Sequence, residues 1–307
     1  MGGVLIGFAI IAVVIVAGYL IARFRVVGPE AHQVLSRLAF FVLSPALLFT
    51  VLAEADLHAL FSTQLPVAAV SALVPMAIFL TVALAVWRRR VPDATIGTLA
   101  SGYLNANNIG IPVAAYVVGD AAASAPVILL QLIVFAPIAL TVLDVTTSGR
   151  ASVGRILSQP VRNPLIIGSL AGLVVALSGV ELPQPVLDPF ELVGAAAVPV
   201  ILLNFGMSLH GRRLLDTPGS RRDIVLAVAL KLVVMPLVAW AAARFLFGLD
   251  DHALFVAVVL AALPTGQNVF NYAQRYRRGE TLARDAVLLS TLLSLPVIVI
   301  VAALLAA

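Results

Sequence analysis

The chain has 307 residues, 62% of them hydrophobic and only 11% charged, against roughly 25% charged residues in a soluble domain. Without a cysteine it can hold no disulfide, no thiolate metal site and no cysteine nucleophile. The net charge of +4 does not mark a nucleic-acid surface, because the arginines stand in short blocks beside apolar runs, as at Arg88, Arg89 and Arg90, the pattern of topology signals in a polytopic membrane protein.

Apolar stretches close to the ~20 residues that cross a bilayer predict ten spans, at 4–22, 34–53, 66–87, 94–118, 124–146, 161–179, 190–209, 223–247, 252–274 and 283–306. The links between them are too short for a soluble domain. The first span has no basic leader and no small-residue cleavage site before Arg23, so it reads as a transmembrane helix rather than a signal peptide. Of the 19 basic residues, 17 fall in the odd links: Arg23, Arg25 and Arg37; Arg88, Arg89 and Arg90; Arg150, Arg155 and Arg162; Arg212, Arg213, Arg221 and Arg222; Arg275, Arg277, Arg278 and Arg284. The even links hold only Arg244. Basic loops stay cytoplasmic, which predicts both termini outside and a multi-pass location in the plasma membrane (bacterial inner membrane).

The prolines suggest a repeat. Pro45 and Pro199 are 154 residues apart, Pro75 and Pro236 161, Pro112 and Pro264 152, and Pro137 and Pro296 159. Residues 1–148 are therefore read as a first five-helix repeat and 149–307 as a second. Five is odd, so the second half enters the membrane from the opposite face, an inverted repeat of the kind secondary transporters use.

In each half the fourth helix is anomalous. Span four carries Asn105, Asn107, Asn108, Gly110 and Pro112; span nine carries Pro264, Thr265, Gly266, Gln267, Asn268 and Asn271. Proline and glycine are expected to interrupt both helices near mid-membrane. The backbone groups so freed need partners, because an unpaired polar group in hydrocarbon costs several kcal/mol. A new helix N-terminus suits a carboxylate and a new C-terminus suits a cation. The plainer reading is that the asparagines glue helices together and the prolines only kink them; paired breaks at matching repeat positions favour a substrate site.

The stretches NANNIGIP (105–112), LPTGQN (263–268) and KLVVMP (231–236), set on a ten-span inverted repeat, resemble the auxin efflux carrier family, which includes plant PIN-type carriers and bacterial relatives assigned to malate or malonate. The resemblance runs along essentially the whole chain. It implies a fold similar to bile-acid sodium symporters: an all-α integral membrane protein in which helices four and nine are broken and cross. By that analogy spans one, two, six and seven form a scaffold that dimerises, and spans three to five and eight to ten form a transport unit that moves as an elevator. The family's substrate contacts fall on Asn105, Asn107, Asn108, Gly110, Pro112, Pro264, Gly266, Gln267 and Asn268. The long cytoplasmic loop of plant members is replaced here by a short link, roughly 147–160.

Lys231 and Asp144 are the two charges that stand clearly inside spans. Lys231 lies roughly 13 Å along a helix past Arg222, near the midplane. Two roles for it are open: a fixed positive charge at a half-helix carbonyl end or an anion site, or a structural pair or buried amine. Asp144 is open to three readings, a pair with Lys231, a carrier of a coupling proton, or an ordinary interfacial aspartate. Glu54, Asp56, Asp120, Glu181, Asp188, Glu191, Asp250 and Asp251 cluster on outer links and helix ends, where solvation is expected. No acid stands in the span-nine break, where bile-acid symporters place a sodium-binding glutamate; this departure argues against that form of sodium symport.

His32, His58, His210 and His252 lack metal-ligand spacing, and no nucleotide-binding glycine motif with its lysine is present. Tyr103, Tyr116, Phe270 and Tyr272 flank the breaks, as cavity lining or as packing and interface anchors. The expectation is a secondary transporter, not an enzyme, that moves small organic anions (carboxylates, auxin-like or dicarboxylate) across the bilayer as a homodimer. It needs no cofactor, and its coupling to a proton or a sodium ion is open. A sodium-coupled symporter of the bile-acid type and a ligand-binding membrane sensor without transport are the competing readings.

Overall fold

The computed structural model describes residues 2–28, 30–55, 64–148, 163–180, 182–210 and 221–305. Asp56, His58, Glu181, Arg150, Arg155, Arg162, Arg212, Arg213 and the 149–160 part of the central link lie outside the described residues.

The elements are helices: α1 (Gly2–Arg23), α2 (Ala31–Ala53), α3 (Leu65–Val86), α4 (Val91–Gly102), α5 (Ala106–Val118), α6 (Ala121–Thr147), α7 (Pro164–Ser178), α8 (Gln184–Ser208), α9 (Arg221–Leu246), α10 (Asp251–Ala261), α11 (Gln267–Tyr276) and α12 (Glu280–Leu305). Among the described residues the only β pairing is one antiparallel bridge, Leu104 to Thr265. In hydrocarbon every backbone polar group must find a partner within the protein, and helices meet that demand segment by segment. Six of them, α2, α3, α6, α8, α9 and α12, are long and apolar enough to cross a membrane; α5, α7, α10 and the Ala9–Arg23 part of α1 are apolar but shorter. Large apolar side chains face outward, Leu192 at 78%, Leu177 at 77% and Phe245 at 76% exposure, as a lipid solvent allows.

Four prolines share one local solution. Pro45, Pro112, Pro137 and Pro236 each sit two residues after a single wide turn, at Ala39–Leu43, Ala106–Gly110, Gln131–Phe135 and Leu230–Val234. The proline ring lacks an N–H and crowds the carbonyl four residues back, and a wide turn with i to i+5 bonding relieves both problems without ending the helix. Here the structure corrects an expectation. Pro112 does not break the fourth span; it lies inside α5, and the interruption falls earlier, at Tyr103–Asn105. Pro264, in contrast, lies within the second interruption, between Ala261 and Gln267.

Two groups of helices pack within themselves. One joins α1 to α8 and α2 to α7 and α8; the other joins α3, α4, α6 and α9 to α12, while α5 touches α1 and α8 as well as α6. In the first group the backbones meet at glycines. A Cβ on Gly18 would come to 2.1 Å from the Leu203 carbonyl oxygen, one on Gly206 to 2.0 Å from that of Ile15, and one on Gly168 to 2.5 Å from that of Pro45. Such close approach replaces the hydrophobic drive that lipid cannot supply. Gly206→Ala should therefore push α8 off α1 and destabilise the protein by on the order of 1–3 kcal/mol. Thermal unfolding of the solubilised protein reads the loss, and Gly28→Ala, whose Cβ meets nothing within 4 Å, is the control that leaves the midpoint in place.

Candidate functional site

The two interruptions meet. The chain between α4 and α5 runs antiparallel to the chain between α10 and α11, and each supplies what the other lost. Asn105 N–H donates to the Pro264 carbonyl at 2.8 Å, and Gly266 N–H donates to the Tyr103 carbonyl at 2.9 Å. The remaining amides of the bridge turn outward, to the helix that follows each break. Leu104 N–H donates to Gln131 Oε1 on α6, and Thr265 N–H donates to Ser290 Oγ on α12 at 3.0 Å. Tyr103, Ala262 and Leu263 close onto their own helices. Every amide from Tyr103 to Asn105 and from Ala262 to Gly266 thus has an acceptor, proline excepted, and no solute is needed to complete the breaks.

The carbonyl ends of the broken helices are also held, each by a different device. Thr265 Oγ1 donates to the Ala100 carbonyl at 2.7 Å, near the end of α4. Lys231 Nζ donates to the Ala261 carbonyl at 2.8 Å, at the end of α10. Lys231 is completely buried, with no carboxylate partner among the described residues. A half-helix C-terminus carries about half a negative charge, and the amine sits upon it. Of the readings open for Asp144, the pair with Lys231 does not form; Asp144 accepts the Tyr276 hydroxyl at 2.6 Å, tying α6 to α11.

The N-terminal ends are left open. Asn105 caps α5 by accepting Asn108 N–H at 3.2 Å, but the amides of Ala106 and Asn107, and those of Gln267 and Asn268 at the start of α11, have no acceptor among the described residues. Asn107 Oδ1 is buried without a partner. Asn107 Nδ2 donates to Asn108 Oδ1 at 2.9 Å, which fixes the two side chains relative to each other.

Both N-termini line one cavity of about 530 Å³. Of the sequence-predicted residues, Asn105, Asn107, Asn108, Gly266, Gln267 and Asn268 line it, with Tyr103 and Asn271 beside them; Gly110, Pro112, Pro264, Lys231 and Asp144 do not. Gly110 serves packing, since a Cβ there would come to 3.0 Å from Leu263 Cδ1. Tyr103 stacks edge-on against Tyr272, centroids 6.4 Å apart. α2 and α8 also line the cavity, through His32, Ser36, Arg37 and Asn204. Sequence reasoning gave Arg37 a topology role, did not single out Ser36 or Asn204, and missed Gln131 and Ser290, the acceptors that hold the bridge. It also left two buried acids unremarked. Asp285 on α12 is fully buried with Arg284 Nε at 2.7 Å, and Asp223 on α9 is buried with Arg89 Nη2 at 2.7 Å.

A model of the membrane transport protein family matches residues 4–152 and 148–302. The chain belongs to this family. Like its relatives, this family member is a membrane transporter and not an enzyme. It is 28% identical over 285 residues to a "Putative malonate transporter" of Rhizobium meliloti (strain 1021), covering 90% of this chain and 88% of that protein. It is 27% identical over 291 residues to an uncharacterized transporter of Methanothermobacter thermautotrophicus, covering 93% of each. Auxin efflux carrier component 1 of Arabidopsis thaliana is 28% identical over 141 residues, 45% of this chain and 22% of that carrier.

The capping scheme makes a stability prediction for this transporter. Lys231→Met keeps the volume but strands the Ala261 carbonyl, and should cost about 1–3 kcal/mol, read as a lowered unfolding midpoint in detergent. Thr265→Val should cost less because only a neutral bond is lost, and Thr265→Ser should retain most of the wild-type stability.

Proposed function

We propose that this transporter is a secondary carrier of small organic anions, and that it binds a carboxylate where α5 and α11 begin. One observation carries the reading: two half-helix N-termini, with four amides that lack acceptors among the described residues, line a single cavity at which no described carboxylate side chain is found. Each N-terminus contributes about half a positive charge and N–H groups aimed at the ligand. Asn107, Asn108, Gln267 and Asn268 add side-chain amides that can donate to an oxygen. Gly110, Pro112 and Pro264 then act on the site through the backbone they shape.

In this reading the chain has ten spans in two inverted five-helix repeats, 1–148 and 149–307, with α4 and α5 together making the fourth span and α10 and α11 the ninth. These two cross at the Leu104–Thr265 bridge in the manner of bile-acid sodium symporters. The glycine-packed group of α1, α2, α7 and α8 is the scaffold, through which a homodimer forms, and the remaining helices move against it as an elevator. The cavity reaches the exposed Gln33 and Arg37, which the distribution of arginines puts on the cytoplasmic side with both termini outside. The position of Lys231 on the Ala261 carbonyl supports a carrier that needs no sodium ion at that helix end, because a tethered amine already meets the carbonyl there.

The test is flux. Purified protein in sealed liposomes should move radiolabelled carboxylates, and Asn108→Ala or Gln267→Ala should each lower uptake at limiting substrate roughly 10- to 100-fold, the range expected when a hydrogen bond to a charged group is removed, with little change in unfolding midpoint. Wild-type uptake by either variant would place the substrate elsewhere. Binding of a carboxylate without flux would mark a sensor.

A further inference from the structure

One buried acid is only half satisfied. Asp285, on α12, is fully buried; its Oδ1 accepts from Arg284 Nε at 2.7 Å, and its Oδ2 has no hydrogen-bond partner among the described residues. Of the titratable groups on the helices packed against α12, Asp223 and Lys231 of α9, Asp251 of α10 and Tyr276 of α11 are engaged elsewhere, with Arg89, the Ala261 carbonyl, Arg244 and Asp144. The others are Arg221 and Arg222 of α9, His252 of α10, Tyr272 and Arg275 of α11, Asp93 of α4, Tyr19 and Arg23 of α1, and Glu280 on α12 itself. None of them hydrogen-bonds or ion-pairs with Asp285. Arg284 also lines a second, small cavity of about 20 Å³, room for one water molecule. Thr291, 4% exposed with its Oγ1 unpartnered, lines it too, as does Ser208 of α8. Asn105 and Gln267 line both this cavity and the large one, so the two adjoin at amides proposed to hold the carboxylate. Asp285 stands five residues, about 7.5 Å of helix rise, before Ser290, which holds the Thr265 amide of the bridge.

We propose that Asp285 Oδ2 is the binding site of a proton that travels with the anion, making this a proton-coupled carrier. The inference rests on the carboxylate site proposed above and adds its coupling. With Asp285 ionised, the Arg284–Asp285 pair is neutral as a unit. A proton delivered by water forms an O–H bond at Oδ2, cancels the carboxylate charge and leaves Arg284 as an uncompensated cation on the small cavity that adjoins the anion site. It also removes the cost of a buried anionic oxygen that no donor meets. An anion therefore binds more tightly to the protonated protein, and by linkage the bound anion strengthens the hold on the proton by the same factor. When the site opens to the opposite face, the proton returns from Oδ2 to water as the anion leaves, and the neutral pair re-forms. The competing role is a structural ion pair that stays closed and ionised throughout, which gives anion binding no proton to take up.

Proton uptake on binding separates these roles. Malonate serves as the probe, near neutral pH where it is ionised, and a pH indicator in weakly buffered detergent solution reads the protons taken up by the purified protein. The wild-type protein should take up close to one proton per malonate bound, and its affinity, read from the ligand-induced shift of the unfolding midpoint, should fall about tenfold for each unit rise in pH. In liposomes an inward proton gradient should drive accumulation of radiolabelled malonate, and a protonophore should abolish it. Asp285→Asn should remove the proton uptake, the pH dependence and the gradient-driven accumulation together, and Asp285→Glu should recover them. Malonate binding by the wild-type protein without proton uptake overturns the inference, whether or not the variants fold. An Asp285→Asn variant that keeps the pH dependence overturns it too, as does accumulation that follows a sodium gradient in place of a proton gradient. If in those cases Asn108→Ala and Gln267→Ala still weaken malonate binding, the carboxylate site stands and only the coupling is lost. If those two variants bind malonate as the wild type does while Asp285→Asn abolishes proton uptake, the coupling stands and the carboxylate site lies elsewhere.

Discussion

The backbone exchange between Tyr103–Asn105 and Pro264–Gly266 is the constraint on which the rest depends. Two helices that stop in a low-dielectric core leave eight or so terminal backbone groups without partners, a cost no apolar packing can offset. Lying antiparallel, the two gaps pair with each other, and the outward-facing amides reach Gln131 and Ser290 on the helices that follow. Each of those helices holds the bridge by one hydrogen bond, and the junction brings two helix N-termini to one cavity.

The junction is not symmetric, and the asymmetry explains the buried lysine. Leu104 and Thr265 occupy equivalent places in the bridge. The threonine hydroxyl reaches across to cap the Ala100 carbonyl on α4. The leucine has nothing to offer the matching Ala261 carbonyl on α10, and Lys231 reaches in from α9 to do so. A burial that would be very costly for a lone amine is offset by placing it on the negative end of a helix. That arrangement also keeps the Lys231 amine out of the cavity, whose lining at the bridge is made of amide side chains and helix starts.

Much of this was legible in the residues and some was not, for identifiable reasons. Apolar runs marked the helices to within a few residues, since length and hydropathy are imposed by the bilayer and not by tertiary detail. NANNIGIP and LPTGQN showed where the helices fail, because asparagine, glycine and proline are costly in lipid unless used. The site of failure within span four was misjudged: Pro112 is the conspicuous residue, yet a wide turn absorbs it, and the break falls on Tyr103–Asn105, whose own chemistry does not announce it. Gln131, Ser290 and Asn204 were invisible as partners because their roles depend on which helix faces which. Arg284 and Arg89 were read only as members of basic links, and their buried partners Asp285 and Asp223 were not singled out, since position along a chain does not report burial at a helix end.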